Sequence, residues 1–511
     1  SEVTARVAAD APGTLLLAEA FWLLEAYFVR TLGMHRVYNS AFMHMTAAGD
    51  NAALRSLIAE TVALDPAILG RYVTFMSNPD EEPAVAQYGS GERYFAVCTL
   101  MVTLPGLPMF GHGQIEGLAE RYGMEFVAPM VTEEPDAAVT ARHRAEITPL
   151  LRRRADFAGA EDFRLYDLVN VDGAVDEDVY VFTNRGPGGR ALVIVNLSAR
   201  HVDGFVARSQ PHLGERGTET TTIAATIGGG VFGAFDLTAG GIRLIASDPD
   251  RGLALHLGPY ERRVLVDFEP VPVAAADAAD FGDDVFTDVD SATAECRRGV
   301  LRHRYAAVVE MACNPESPAA RLRSAVAAYR EAAAAIGLDP PGADATLETA
   351  ARLQASRADT TELPAGMDNE PGAGLCFTVA TALTDPAEPA LLDTITEDIL
   401  SRHSARSAQW ASLRRALAPF RTWARTVHGI PPGEAAAIVG SVLRRRPVTA
   451  AAIAAVPPAL VAAAMLWLAL GDASSAAARR HAAATVAALI SELEGSAAGN
   501  VTPRKPAGGD E

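Results

Sequence analysis

Three short stretches put ionisable and amide side chains directly after apolar, β-type runs. Thr14-Leu15-Leu16-Leu17-Ala18 ends on Glu19. Tyr72, Val73 and Phe75 break off at Ser77-Asn78-Pro79-Asp80, and Leu107-Pro108-Met109-Phe110 opens into Gly111-His112-Gly113-Gln114-Ile115-Glu116-Gly117. Carboxyl groups give and take protons or attack electrophilic carbon, and amides and imidazoles hold polar ligands. Position matters as much as type, because barrel enzymes keep their chemistry at the carboxyl ends of parallel strands.

The elements between these stretches must do the positioning. Phe95 to Val102 is an apolar segment of helix length, so Tyr72 to Gly117 runs strand with polar tip, helix, strand with polar tip. That is the βαβ rhythm of a parallel sheet. Thr14–Ala18 is almost wholly apolar, as a strand buried on both faces would be. Val37 to Met43 is expected as a further strand and Ala47 to Leu69 as the helical stretch after it, with Leu54, Leu57, Ile58 and Val62 at helical spacing for a core. Arg142 to Arg154 reads as a closing helix whose Arg152-Arg153-Arg154 run complements the dipole at its end. His35 and His44 read as structural histidines, with a place in a ligand pocket as the alternative.

With these residues in view, the chain resembles the α-amylase-type enzymes of glycoside hydrolase family 13. Phe75-Met76-Ser77-Asn78-Pro79-Asp80 is similar to the family's Phe-x-x-Asn-His-Asp at the seventh barrel strand. Gly106-Leu107-Pro108-Met109-Phe110-Gly111-His112-Gly113-Gln114-Ile115-Glu116 is similar to Gly-x-Pro-x-Ile-Tyr-x-Gly-x-Glu at the eighth, with Ile115 at the usual place of the Glu. Glu19-Ala20-Phe21-Trp22 looks like the Glu followed closely by an aromatic that ends the fifth. The resemblance implies a partial (β/α)8 TIM barrel, strands 5–8, with Glu19 as general acid/base and Asp80 as the acid that stabilises the transition state. It also implies that Asn78, Trp22, His112, Gln114 and Glu116 bind substrate, an α-glucan or maltooligosaccharide. Read without the resemblance, Glu19 is a carboxylate suited to the positive end of a helix over 20–29.

Cleaving a glycosidic bond with retention needs two carboxyl groups about 5 to 5.5 Å apart, one to protonate the leaving oxygen and one to attack. The family's nucleophile lies in Gly-Phe-Arg-x-Asp, which should precede Glu19; there, Glu2 and Asp10 are the acids and neither has an Arg-x-Asp context. Phe163-Arg164-Leu165-Tyr166-Asp167 comes after the closing helix and reads as the entry to the next domain. The expectation is therefore that the first four strands are missing. The sequence is then a fragment, or a second chain supplies the N-terminal half-barrel, or two copies pair. Pro79 replaces the family's His, which removes an imidazole that contacts the sugar. Two other functions stay open: a non-catalytic glucan-binding or regulatory protein, and a helical interaction protein. No metal ligand set is visible; Ca²⁺ is implied by the family alone, and no other cofactor is expected.

After Phe163 the pattern changes to short β-rich runs between Gly- and Pro-containing turns, which predicts an antiparallel β-sandwich over 159–270 following a half-barrel over 1–158. An acidic linker (271–290), an α-helical domain (291–498) and a disordered tail (499–511) complete the expected order. Ser317 to Ile336 is the clearest helix, capped by Ser317 and stopped by Gly337. Val448 to Leu470 is uncharged, but Pro457-Pro458 divides it into pieces too short to cross a bilayer. The 511 residues suit two to four domains, and a net charge of −19 disfavours nucleic acid, which demands a basic surface. Four scattered cysteines, Cys98, Cys296, Cys313 and Cys376, read as reduced, buried thiols. Ser1 to Asp10 is no secretory signal. That predicts a cytoplasmic protein, or one whose true start and signal lie upstream of a first residue that is not Met.

Overall fold

A computed structural model describes residues 2–19, 25–121, 125–214, 217–272, 284–313, 319–338, 371–383, 392–420, 423–427, 429–472 and 476–498. Trp22 and the tail 499–511 lie outside the described residues, as does the middle of the expected linker. The chain divides into two compact units, Ser1–Cys296 and Arg297–Glu511.

The first unit opens on a parallel sheet in the order β1 (Leu17–Ala18), β2 (Arg36–Asn39), β3 (Tyr72–Phe75) and β4 (Leu107–Met109). Leu17 lies opposite Arg36, Val37 opposite Tyr72 and Val73 opposite Leu107. Side chains alternate across a strand, so Ala18, Val37 and Tyr72 share one face. They are buried in a core with Phe42, Leu54, Ile58 and Val62 from the helices Ser40–Ala48 and Asn51–Leu64. The other face carries Leu17, Tyr38, Val73, Phe75 and Leu107, with the Tyr38 and Phe75 rings edge-on at 5.3 Å. Leu17 and Leu107, on the two outer strands, are 39% and 42% exposed. Among the described residues no strand pairs with the outer edge of β1 or of β4.

Two sequence expectations change here. The strand expected over Val37 to Met43 stops at Asn39, whose side chain accepts the Phe42 N–H (3.3 Å) and so caps the helix Ser40–Ala48. The closing helix is broken into Ala137–Arg142, a π-helical turn His143–Ile147 and Thr148–Arg152. Pro149 has no N–H for an i→i−4 bond, and the π turn accommodates that gap. Arg152 stands in the last turn as expected, whereas the two arginines after it clamp neighbouring segments. Arg153 pairs with Asp156 and Asp267, and Arg154 donates to the carbonyls of Leu104 and Gly106.

The expected sandwich is instead a closed antiparallel barrel of eight strands. Its members are β5 (Arg164–Val169), β6 (Val179–Gly186), β7 (Gly189–Asn196), β8 (Val202–Ser209), β11 (Gly230–Asp236), β12 (Gly241–Asp248), β13 (Gly252–Leu257) and β14 (Arg262–Val271). The short β9 (His212–Gly214) and β10 (Gly217–Glu219) form a separate hairpin. Closure follows from β14, which pairs with β7 over Arg262–Leu265 and with β11 over Leu265–Val271, and from register shifts at Gly233/Phe235 and Tyr166/Leu168. Such bulges bend strands enough for a sheet to meet itself. Alternating runs look the same in a sandwich and in a barrel.

The strands nearest the parallel sheet serve two cores. Val179, Val181, Leu192, Ile194 and Leu265 point into the barrel with Ile223 and Ile227 of the helix Ile223–Ile227. Their neighbours Tyr180, Phe182, Ala191, Val193, Val264 and Val266 point out and join the core of the parallel sheet. Polar contacts run the same way: Arg55 donates to the Val179 carbonyl (2.9 Å) and pairs with Asp167, and Tyr180 Oη donates to the Asn51 carbonyl (2.7 Å).

The second unit is helical. Pro458–Asp472 is buried on all sides from Leu460 to Ala469 and is packed by Pro371–Leu383, Ser407–Leu417 and Ala476–Ala498. A helix apolar all round belongs inside a bundle. The break expected at Pro457-Pro458 is present, between Pro447–Ala454 and Pro458–Asp472, and the helix expected over Ser317 to Ile336 is seen as Ala319–Ala334, with Ser317 itself outside the described residues. Among the described residues no helix is long and apolar enough to cross a membrane. Cys98, Cys296 and Cys376 are buried thiols.

Candidate active site at the strand tips

All four strands of the parallel sheet run the same way, so their carboxyl ends open on one edge. β3 delivers Ser77 and Asn78, and Asn78 Oδ1 accepts the Asp80 N–H at 3.0 Å. This local turn stops the strand and throws the Asp80 carboxylate outward, where it is exposed. Arg121 donates to the Asp80 carbonyl and lies 3.4 Å from Glu82, which ties this loop to the one after β4.

The β4 loop is fixed more tightly. Gly106 has φ +97°, and a Cβ there would overlap the Tyr72 carbonyl oxygen, so the turn into β4 requires glycine. A Cβ at Gly111 would overlap Ser77 Oγ, because the two strand-tip loops touch there. Gln114 is only 2% exposed. Its Oε1 accepts the Gly111 N–H (2.9 Å), and its Nε2 faces Met76 Sδ at 3.5 Å. Its carbonyl accepts from Tyr94 Oη (3.0 Å), and Tyr94 Oη lies 2.8 Å from His143 Nε2. Tyr94 has one proton to give, so neutral His143 donates from Nε2 and the relay runs His143 to Tyr94 to the Gln114 carbonyl. Burial lowers the His143 pKa from 6.5 to about 4, despite the opposing charges of Glu116 and Glu146, and burial pushes the Tyr94 phenol up.

The site residues expected from sequence therefore divide. Asn78, Asp80, His112, Gln114 and Glu116 share two touching loops, with His112 and Glu116 exposed and Gln114 turned into the protein. Glu19 is exposed beyond β1, two strands from β3, or about 10 Å at ordinary strand spacing. Asp167 is committed to Arg55 and to Gln210, as an entry to the barrel would be. His35 is structural, its Nδ1 accepting the Leu16 N–H at 2.9 Å. The Tyr94–His143 relay went unread, since its members are 49 residues apart and no local pattern marks them. Among the described residues no group of three or more His, Cys, Asp or Glu could hold a metal ion.

No protein-family profile and no curated protein matches the chain. Solved structures do match, at low identity. The maltogenic α-amylase AmyB of Thermotoga neapolitana is 16% identical at a TM-score of 0.39, over 52% of this chain and 58% of that one. The α-amylase of Geobacillus thermoleovorans, complexed with acarbose, is 14% identical at 0.38 (52% and 55%), and an acarbose-soaked debranching enzyme of Nostoc punctiforme is 16% identical at 0.36 (52% and 53%). The chain spans little more than half the length of these structures.

Proposed function

We propose that the strand tips of the parallel sheet form part of the active site of an α-glucan-active glycosidase or transglycosidase. The observation that carries this reading is positional. Glu19, the Asn78–Asp80 turn and the His112–Glu116 loop each follow a strand of one parallel sheet, in the order of the motifs they resemble, and an antiparallel β-domain comes next. In this reading residues 1–158 are strands 5–8 of a (β/α)8 barrel, 159–270 the β-domain, 271–290 a linker and 291–498 a helical domain. Glu19 protonates the glycosidic oxygen, and Asp80, braced by Asn78, accepts hydrogen bonds from sugar hydroxyls as positive charge grows at the anomeric carbon. The attacking carboxylate comes from the other half of the sheet, whose docking place is the open edges of β1 and β4 with the apolar face between them.

Glu19→Gln in the full-length protein as it occurs in its source should lower maltoheptaose turnover by roughly 10²-fold or more. An unchanged rate overturns the reading. Pro79, in the place of the family's His, favours a second reading, glucan binding without cleavage. Calorimetry would then record maltoheptaose binding with no product formed.

A further inference from the structure

The first unit also holds a polar pocket, remote in sequence from the strand tips. It measures about 150 Å³ and is lined by Asp162, Arg164, Arg185, Arg190, Thr221 and Thr226, among others. Arg185 on β6 lies directly opposite Arg190 on β7, and Arg164 on β5 lies opposite Thr183, two residues from Arg185. By alternation Arg164, Arg185 and Arg190 take the same side as Tyr166, Val181 and Leu192, which is the barrel interior. The three guanidinium groups therefore ring one mouth of the barrel. Thr226, one of the lining residues, accepts from Tyr166 Oη (2.7 Å), which is within reach of the charges of Arg164 and Arg190.

This charge is only partly compensated. Arg164 gives hydrogen bonds to two backbone carbonyls, Glu161 and Phe163. Arg185 and Arg190 make no side-chain ion pair or hydrogen bond among the described residues. Asp162 is the single acid in the lining, and the protein as a whole carries −19. Like charges directly opposite on paired strands destabilise a sheet, so an Arg–Arg pair here costs stability unless something negative sits between them.

We propose that this barrel mouth binds a phosphate-type oxyanion, as inorganic phosphate or as the phosphate of a small ester. Three arginines and two threonine hydroxyls lining one pocket suit a tetrahedral dianion, and a pocket of this size holds one such group with a few waters. The site stands apart from the glycosidase reading and does not depend on it.

The test is calorimetric titration of the full chain with sodium phosphate and with glucose 6-phosphate, against sodium chloride at equal ionic strength. A thermal melt of the Arg185→Gln/Arg190→Gln double variant runs beside it. Saturable binding of phosphate, weakened at least tenfold in the double variant, is expected. In phosphate-free buffer the double variant should melt above the wild type, because the repulsion is gone. Tighter binding of glucose 6-phosphate would identify an ester as the ligand, and equal binding the free anion. A response matched by chloride, or unchanged in the double variant, overturns the site.

Discussion

His143 should make the first unit sensitive to mild acid in a way that its side-chain carboxylates do not explain. The imidazole is buried, gives its Nε2 proton to Tyr94, and is surrounded by the rings of Phe95 and Phe110 at 5.4 and 6.0 Å. Its folded-state pKa is lowered from 6.5 to about 4. Between those values the unfolded chain takes up a proton that the folded chain refuses. The stabilisation is thus complete above pH 6.5 and is lost as pH falls through the folded pKa. The loss amounts to about 2 kcal/mol at pH 5 and about 3 kcal/mol at pH 4. His143→Gln keeps an Nε2–H for Tyr94 but cannot titrate there. Urea midpoints of both proteins from pH 7.5 to 4 should draw together and then cross, the wild type losing stability relative to the variant with a slope approaching 1.4 kcal/mol per pH unit. Histidine-selective NMR on the wild type should show one ring still neutral at pH 5. Parallel urea profiles, or no ring that stays neutral below pH 6, would refute the relay and the neutral tautomer it requires.

Glu25 lines a cavity of about 160 Å³ with Asn39, Thr61 and Tyr72, and burial raises its pKa. A raised carboxyl destabilises the fold above its unfolded pKa, so Glu25→Gln should raise the melting temperature at pH 7 and leave it unchanged near pH 4; the opposite order of melts would count against it. Gly111→Ala drives a Cβ into Ser77 Oγ and should cost about 1 to 3 kcal/mol, part of which Ser77→Ala should restore. A double-mutant cycle in chemical denaturation measures that coupling, and strict additivity would mean that the two loops do not touch.

The parallel sheet was legible because its strands are short apolar runs with abrupt polar ends, and a turn residue such as Asn78 announces its role through its own side chain. Asn39 misled for the same reason turned about. Ser40 to Met43 looks like a continued strand, but the amide that precedes them caps a helix. Barrel closure was hidden because it depends on how β14 divides its pairing between β7 and β11, a long-range register that no local run of residues encodes. The Tyr94–His143 relay and the convergence of Arg164, Arg185 and Arg190 were invisible for a related reason: each joins side chains that only the folded topology makes neighbours. Glu19 and Asp80, in contrast, are exposed strand-tip acids, and their places could be read directly from where the apolar runs stop.

The strands that look both ways also govern how this protein can be taken apart. Tyr180, Phe182, Val193 and Val264 would lie bare on the outside of an excised barrel, and Phe42, Leu54 and Ile58 would lose their cover in an excised parallel sheet. Neither piece can be traded among proteins as a self-sufficient module. Recombination that brings the one brings the other, and a cut for expression near residue 158 should yield two sticky halves rather than two soluble ones.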